Sequence, residues 1–262
     1  MVRNKSWFKK LICGLIVTVG ISIFGSVVNA MTTDPVGDGY KLKEESINYV
    51  VGTNKETNKG RILIYHTHTH EDYKDSDVVE LGEDLAVKLE KKGYMVDHVV
   101  EDMERNGYNE SYNTSRAYLK GIDLSQYSLI IDMHRDSVPY PNTVNVKGVD
   151  CARGMLVYSK NSSGYEASQI KGNGIEKYMD RFNQNLMRDA WYYNNGINHF
   201  NTDLSNNMIL FEAGNNNNTK VEVQRLNTYF ASSIEQFLNN EQDNDFLNFL
   251  CDYHFRIGII GE

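Results

Sequence analysis

The sequence predicts an α/β domain built on a mostly parallel sheet, and two observations carry that reading. Short apolar runs, Ile62–Tyr65, Leu129–Asp132 and Met208–Phe211, each pass directly into polar, chemistry-bearing residues. Buried strands of an open parallel sheet have this form, because helices cover both faces and ligands bind beyond the carboxyl ends. Between the first run and Tyr94–Val100 lies a helical pattern, Val78, Leu81, Leu85 and Leu89. Ile62–Val100 therefore reads as a βαβ unit with a parallel strand pair.

Taken in order, the chain opens with Arg3, Lys5, Lys9 and Lys10, then the apolar stretch Leu11–Val28, then Asn29-Ala30. This is a signal peptide by its basic, apolar and small-residue parts. It is also long enough to stay as a membrane anchor. The basic flank places the N-terminus in the cytoplasm, and the body of the protein outside it. Cys13 follows Ile12 rather than a small residue, so no lipoprotein site is read. Residues 31–60 read as a linker running into an edge strand at Ser46–Gly52, and residues 61–262 as one domain. Helix Val78–Lys92 has Asp75, Ser76 or Asp77 as its cap and Gly93 as its stop. Tyr108–Ser115 reads as a polar, tyrosine-rich loop that opens a helix at Ser115–Gly121. Pro139–Val149 reads as a long loop, Gly154–Tyr158 as a strand, Lys171–Tyr193 as a helix and Thr219–Leu238 as the last long helix. A short amphipathic piece follows near Phe246–Tyr253.

Residues 1–30 hold four of the 27 basic residues and none of the 35 acidic ones, so the remainder carries a formal −12. That argues against nucleic-acid binding through a basic patch. Seventeen tyrosines are many for this length. They serve either as ordinary core and surface aromatics or as the lining of a sugar-binding groove. Cys151 and Cys251 impose no disulfide framework, and there is no closely spaced cysteine pair of the kind that holds zinc.

The first strand delivers His66, His68 and His70 at alternate positions, with Glu71 directly after them. Along an extended chain these imidazoles share a face. His68-x-x-Glu71 makes a usable ligand pair if the chain turns after His68. His134 follows the second run and Glu212 the third. Convergence at one sheet edge would give a His68, Glu71, His134 set, which suits a catalytic zinc. No H-E-x-x-H motif is present. Glu212 is then the candidate general base. Asp132 or Asp136 would hold an imidazole by its second nitrogen. Arg135 would hold a substrate carboxylate, with a local Arg135–Asp136 ion pair as the other reading. Asn215, three residues past Glu212, is a second substrate-binding candidate.

Several stretches together resemble stage II sporulation protein P. They are Ile62-Leu-Ile-Tyr-His-Thr-His-Thr-His-Glu-Asp-Tyr73, Gly107-Tyr-Asn-Glu-Ser-Tyr-Asn-Thr-Ser115, Ile131-Asp-Met-His-Arg-Asp-Ser137, Phe200–Ser205 and Ile209–Thr219. The resemblance implies a zinc amidase-like fold with a twisted central sheet flanked by helices. It implies a zinc-dependent N-acetylmuramoyl-L-alanine amidase that acts on peptidoglycan and also cleaves peptide cross-links. It further implies a place between the two membranes of a sporangium during engulfment, with the lytic transglycosylase sporulation protein D as partner. The other enzyme class open to the same ligands is a zinc carboxypeptidase or endopeptidase on the stem peptide. A wall-binding module is the non-enzymatic reading. His70 stands where the family commonly has a small polar residue, and the linker is shorter than usual. Aligning the strand with related amidases puts His68 at the metal. His66 is the second choice, with Glu71, Glu80 or Glu83 as the carboxylate.

The leader reading is checked with a tag placed after Glu262. The tag should be cut by protease added to intact protoplasts, and full protection would contradict it.

Overall fold

The computed structural model describes residues 59–140 and 142–257, with side chains through residue 241. The leader, the linker before residue 59 and the expected strand Ser46–Gly52 lie outside the described residues. Two compact units divide the chain, Lys55–Gln242 on the one hand and Met1–Asn54 with Asp243–Glu262 on the other. The first unit holds every strand among the described residues.

Eight strands and four helices are described. The strands are β1 (Arg61–Tyr65), β2 (Met95–His98), β3 (Leu129–Asp136), β4 (Thr143–Val146), β5 (Val149–Ala152), β6 (Gly154–Ser159), β7 (Trp191–Tyr193) and β8 (Met208–Asn215). The helices are α1 (Val78–Glu90), α2 (Ser111–Lys120), α3 (Tyr165–Met179) and α4 (Lys220–Ile257). Six strands form one sheet in the order β2-β1-β3-β8-β6-β7. β2, β1, β3 and β8 run parallel, β6 is antiparallel to β8, and β7 is parallel to β6. This is the expected α/β class with a mostly parallel sheet. The βαβ unit is formed, and Asp77 Oδ1 caps α1 by accepting from Glu80 N at 2.7 Å.

Both faces of the central strands are buried, which explains their continuous apolar runs. Ile62 and Ile64 pack with Leu81, Leu85 and Leu89 of α1, while Leu63 and Tyr65 pack with Met103, Leu119 and Tyr127. At 13 residues α1 is marginal as an isolated helix. Its three leucines are fully buried. Each contributes about 1.5–3 kcal/mol, so packing holds the helix in place.

Four local expectations differ from the structure. The Tyr108–Ser115 loop is instead a 3-10 turn, Tyr108–Glu110, running directly into α2. Ser111 Oγ donates to Tyr108 O and Thr114 Oγ1 to Glu110 O, and these bonds stabilise a start that low helix propensity would not favour. The long loop after Pro139 contains the β4–β5 hairpin, turned by Lys147 (φ 53°) and Gly148 (φ 89°). The long helix sits earlier than expected, at Tyr165–Met179, and Trp191–Tyr193 is an edge strand. The pattern that suggested helix past Met179 arises because Leu186 and Met187 are buried by the loop that Arg153 fastens through Asn185 O and Met187 O. The last helix runs on through Phe246–Tyr253 as part of α4. Among the described residues no helix is long and apolar enough to cross a membrane.

Gly82 of α1 lies against two imidazoles packed edge to face. A Cβ there would stand 2.5 Å from His66 Nε2 and 2.7 Å from His98 Nε2. In an open helix Gly→Ala stabilises by about 1 kcal/mol. Here overpacking should win, and Gly82→Ala should destabilise by roughly 1–3 kcal/mol. A urea titration reads this as a lower midpoint at unchanged slope; a raised midpoint would show that the two rings yield.

Candidate active site at the carboxyl edge of the sheet

β1, β3 and β8 end side by side, and their parallel register sets His134 directly beside Glu212. The alternation that put three histidines on one face ends with β1 at Tyr65. His66 keeps the strand's direction and lies under α1, its Nδ1 2.8 Å from Met133 O and its Nε2 2.9 Å from His98 Nε2. Burial, then the His98 ring, brings its pKa down to about 4. Beyond it the chain turns. Thr67 N and Oγ1 both donate to the buried Asp132 carboxylate, at 2.9 and 2.7 Å. His68 emerges on the side of α2, its ring centroid 5.3 Å from that of His134. His70 is exposed and faces Asp102 at 3.3 Å. Glu80 pairs with Lys220 and Glu83 with His98. Neither helix acid therefore joins His68.

A neighbour on the protein side faces one nitrogen on each of the two converging imidazoles. Ser111 Oγ donates its proton to Tyr108 O, so it can only accept from His68 Nδ1, 3.1 Å away. That leaves His68 Nε2 as a lone pair. His134 Nε2 lies 2.9 Å from Asp132 Oδ1, outside good hydrogen-bond alignment. Its Nδ1 faces Glu71 Oε2 at 3.6 Å. Glu71 Oε2 also accepts from Arg135 N at 2.9 Å. Two donors on one tetrahedral zinc stand about 3.4 Å apart, so the Glu71–His134 spacing suits a shared ion. Among the described residues no three such donors yet converge on one point. The charge balance favours a cation. Asp132 is a fully buried carboxylate and Glu71 and Glu212 are partly buried ones around one imidazole, and Glu212 Oε2 is buried without a hydrogen-bond partner. The donor set therefore fits a metal in chemistry, and its Glu71–His134 pair fits in spacing.

The acids differ in environment. Burial pushes Glu212 up to about 8, and Glu71, Asp136 and Asp132 add to it against the opposing His134. Burial works against ionisation of Asp132 and Glu71 too, yet both are held below the usual carboxylate range by His134 and by the N–H groups they accept. Burial likewise opposes charge on His134, but Asp132 and Glu71 hold its pKa well above the ordinary value.

Arg135 and Asp136 do not pair with each other. Arg135 Nε donates to Asp72 O, and Asp136 pairs with Arg188. Asn215 is fully buried; its Nδ2 donates to Tyr140 O and its Oδ1 accepts from Asn217 N, so both ends of its amide fasten the loop after β8. Sequence reasoning missed Tyr108, Ser111 and Tyr112. Tyr108 stacks on His68 at 4.2 Å and 9°, and Tyr112 lies edge-on to it at 5.6 Å. The signal was the Tyr-x-x-Ser-Tyr spacing, which brings these side chains to one face only once the segment is helical.

Solved structures with a similar arrangement include the catalytic domain of an endolysin targeting Clostridia difficile, at 15% identity and TM-score 0.47, covering 69% of this chain and 97% of that one. The CwlD amidase from Clostridioides difficile, solved in complex with the GerS lipoprotein, is 14% identical with TM-score 0.45 over 69% and 98% of the two chains. A metallo-carboxypeptidase from Burkholderia cenocepacia is 10% identical with TM-score 0.45 over 72% and 60%. No curated protein matches the sequence. The family description "Stage II sporulation protein P (SpoIIP)" matches residues 29–235. With most of its length covered, and the strand-end residues that carried the resemblance inside the match, the chain belongs to the stage II sporulation protein P family.

Proposed function

We propose that this chain is a zinc-dependent N-acetylmuramoyl-L-alanine amidase that cleaves peptidoglycan outside the cytoplasmic membrane during sporulation. The observation that carries this reading is Glu212, set by strand register beside His134, with its Oε2 buried and without a hydrogen-bond partner. His68 through Nε2, Glu71, and His134 through Nδ1 would hold the ion. When bound, zinc supplies Lewis-acid activation of water and of the scissile carbonyl. Glu212 accepts the proton of the attacking water. The water oxygen bonds to the lactyl carbonyl carbon, and the bond to the alanine nitrogen breaks. Glu212 returns the proton to that nitrogen, leaving a lactyl carboxylate and a free alanine amine. Asp132 orients His134 by its charge 2.9 Å from Nε2, and Ser111 holds His68 at Nδ1. Arg135 Nε is engaged, while its two terminal nitrogens have no partner among the described residues and suit a stem-peptide carboxylate.

That Arg135 fork also supports a second reading, a carboxypeptidase or endopeptidase acting on stem-peptide cross-links with the same ligands. A lytic transglycosylase partner would cut the glycan from which this chain strips peptide, as the family resemblance implies.

Digestion of purified sacculi distinguishes these activities. The amidase reading expects lactyl groups freed on muramic acid and new alanine amino termini. New ends only inside the peptide would replace it with the second reading, and no release would leave wall binding. Glu212→Gln keeps the shape and removes the proton acceptor; it should keep its zinc and lose about 10²–10⁴ in rate. Loss of zinc from that variant would make Glu212 a ligand instead. Asp132→Asn should weaken zinc binding by roughly 10–100-fold in chelator competition, and His134→Ala should purify with its zinc largely lost. Full zinc content in His134→Ala would remove His134 from the ligand set.

A further inference from the structure

Tyr108 and Tyr112 stand one helical turn apart, and both rings meet the site imidazoles, but their surroundings differ. Tyr112 is 7% exposed, wedged between His134, His68 and Phe200. Tyr108 covers His68 with one face while the residue is 62% exposed. Single exposed aromatics are ordinary on protein surfaces. Tyr108 differs in being fixed. Its carbonyl accepts from Ser111 Oγ at 2.8 Å, and Gly107 turns the chain into it at φ 97°. An aromatic face is thus held open to solvent directly against a proposed metal-ligand ring.

We propose that Tyr108 is a stacking platform for a sugar ring of the substrate, immediately beside the reacting centre. The inference rests on the amidase reading and names the part of the substrate that meets this wall. The scissile amide joins a glycan carrying apolar ring faces to a peptide carrying carboxylates. Tyr108 lies at the β1 end of the site, on the side where the acidic residues Glu104 and Asp102 line the chain after His68. Glu104 is 3.8 Å from His68 Nδ1, and Asp102 is bonded to Thr69. Those acids repel an anionic peptide and leave a neutral sugar. Arg135, at the end of β3, is the cation offered to peptide carboxylates, while Arg153 is engaged by Asn185 O and Met187 O and Arg188 by Asp136. An offset ring face contacting a pyranose uses the same apolar and electrostatic complementarity as other aromatic contacts. Tyr112, with no free face, stays a positioning residue.

The test measures binding to the full-length chain carrying Glu212→Gln, so that turnover does not consume the probe. Calorimetry compares a disaccharide tetrapeptide with the free tetrapeptide. Adding Tyr108→Ala should weaken the disaccharide tetrapeptide by about three- to tenfold, the range one aromatic contact supplies. Affinity for the free tetrapeptide, zinc content and the unfolding midpoint should not move. Tyr108→Phe and Tyr108→Trp should retain sugar-dependent affinity, since the ring face and not the hydroxyl makes the contact. Equal weakening of both probes, or loss of zinc in Tyr108→Ala, would overturn the platform and reduce Tyr108 to a prop for His68. Unchanged affinity for both probes would overturn it as well. If the Glu212→Gln parent itself bound neither probe, the peptidoglycan reading would fall first, and this inference with it.

Discussion

The Asp132 carboxylate is the junction on which the site depends. It is fully buried in β3, accepts from Thr67 N and Thr67 Oγ1, and lies 2.9 Å from His134 Nε2. A buried carboxylate costs several kcal/mol unless its oxygens are satisfied. Two hydrogen bonds from Thr67 and the adjacent imidazole offset that cost. In doing so they tie the residue after His66 to the residue two before His134. Without this clamp the chain leaving β1 would continue straight, and His68 would stay on the α1 face with His66. Strand register alone aligns His134 with Glu212; the clamp is what brings in His68 and Glu71.

The same turn divides five histidines between tasks. His66 and His98 form a chain from Met133 O to Glu83 beneath α1, with both nitrogens of each ring engaged. Gly82 leaves the room these rings occupy. The chain carries no free lone pair toward the site and serves to brace the backbone of Met133, next to His134. His68 and His134 each have one nitrogen committed to a neighbour on the protein side, which orients the other outward. His70 is left on the surface with Asp102 and Glu104. Five imidazoles close in space thus take three roles, set by what each second nitrogen meets.

How much of this was legible in the sequence follows from where periodicity holds. Ile62–Tyr65, Leu129–Asp132 and Met208–Phe211 are buried on both faces, so their apolar runs marked strands whatever packed on them. The ends were harder. β3 and β8 continue through His134 and Glu212 because pairing persists past the apolar run, which composition does not reveal. The choice between His66 and His68 was not legible, because it depends on Asp132, 64 positions beyond His68, capturing Thr67. The first turn of α2 was read as a loop because Ser111, Asn113, Thr114 and Ser115 are weak helix formers. Their hydroxyls bond back to the turn before them, and Ser115 Oγ reaches Thr67 and Asn201 in the tertiary structure. The β4–β5 hairpin did leave a trace, Thr-Val-Asn-Val and Val-Asp-Cys-Ala flanking Lys147-Gly148. A two-residue turn with positive φ at both positions is the form that such flanks demand.

Three carboxylates at one sheet edge also show how environment, not residue type, sets what an acid can do. Asp132 is supplied with Thr67 donors and an imidazole, and stays ionised despite full burial. Glu71 accepts from Arg135 N and faces His134, and is held low as well. Glu212 is partly buried beside the same imidazole, yet no donor reaches its buried Oε2. Hydrogen bonds and opposite charge stabilise the ionised form, and desolvation opposes it. The two well-supplied acids are therefore suited to fixed negative charge, which holds a cation or orients a ring. The unsupplied one is suited to exchanging a proton, which a fixed carboxylate does poorly. Environments that drive neighbouring titratable groups apart in this way mark the acid–base assignment of a site. Here that division needs only the register of β3 against β8 and the turn that Asp132 imposes after β1.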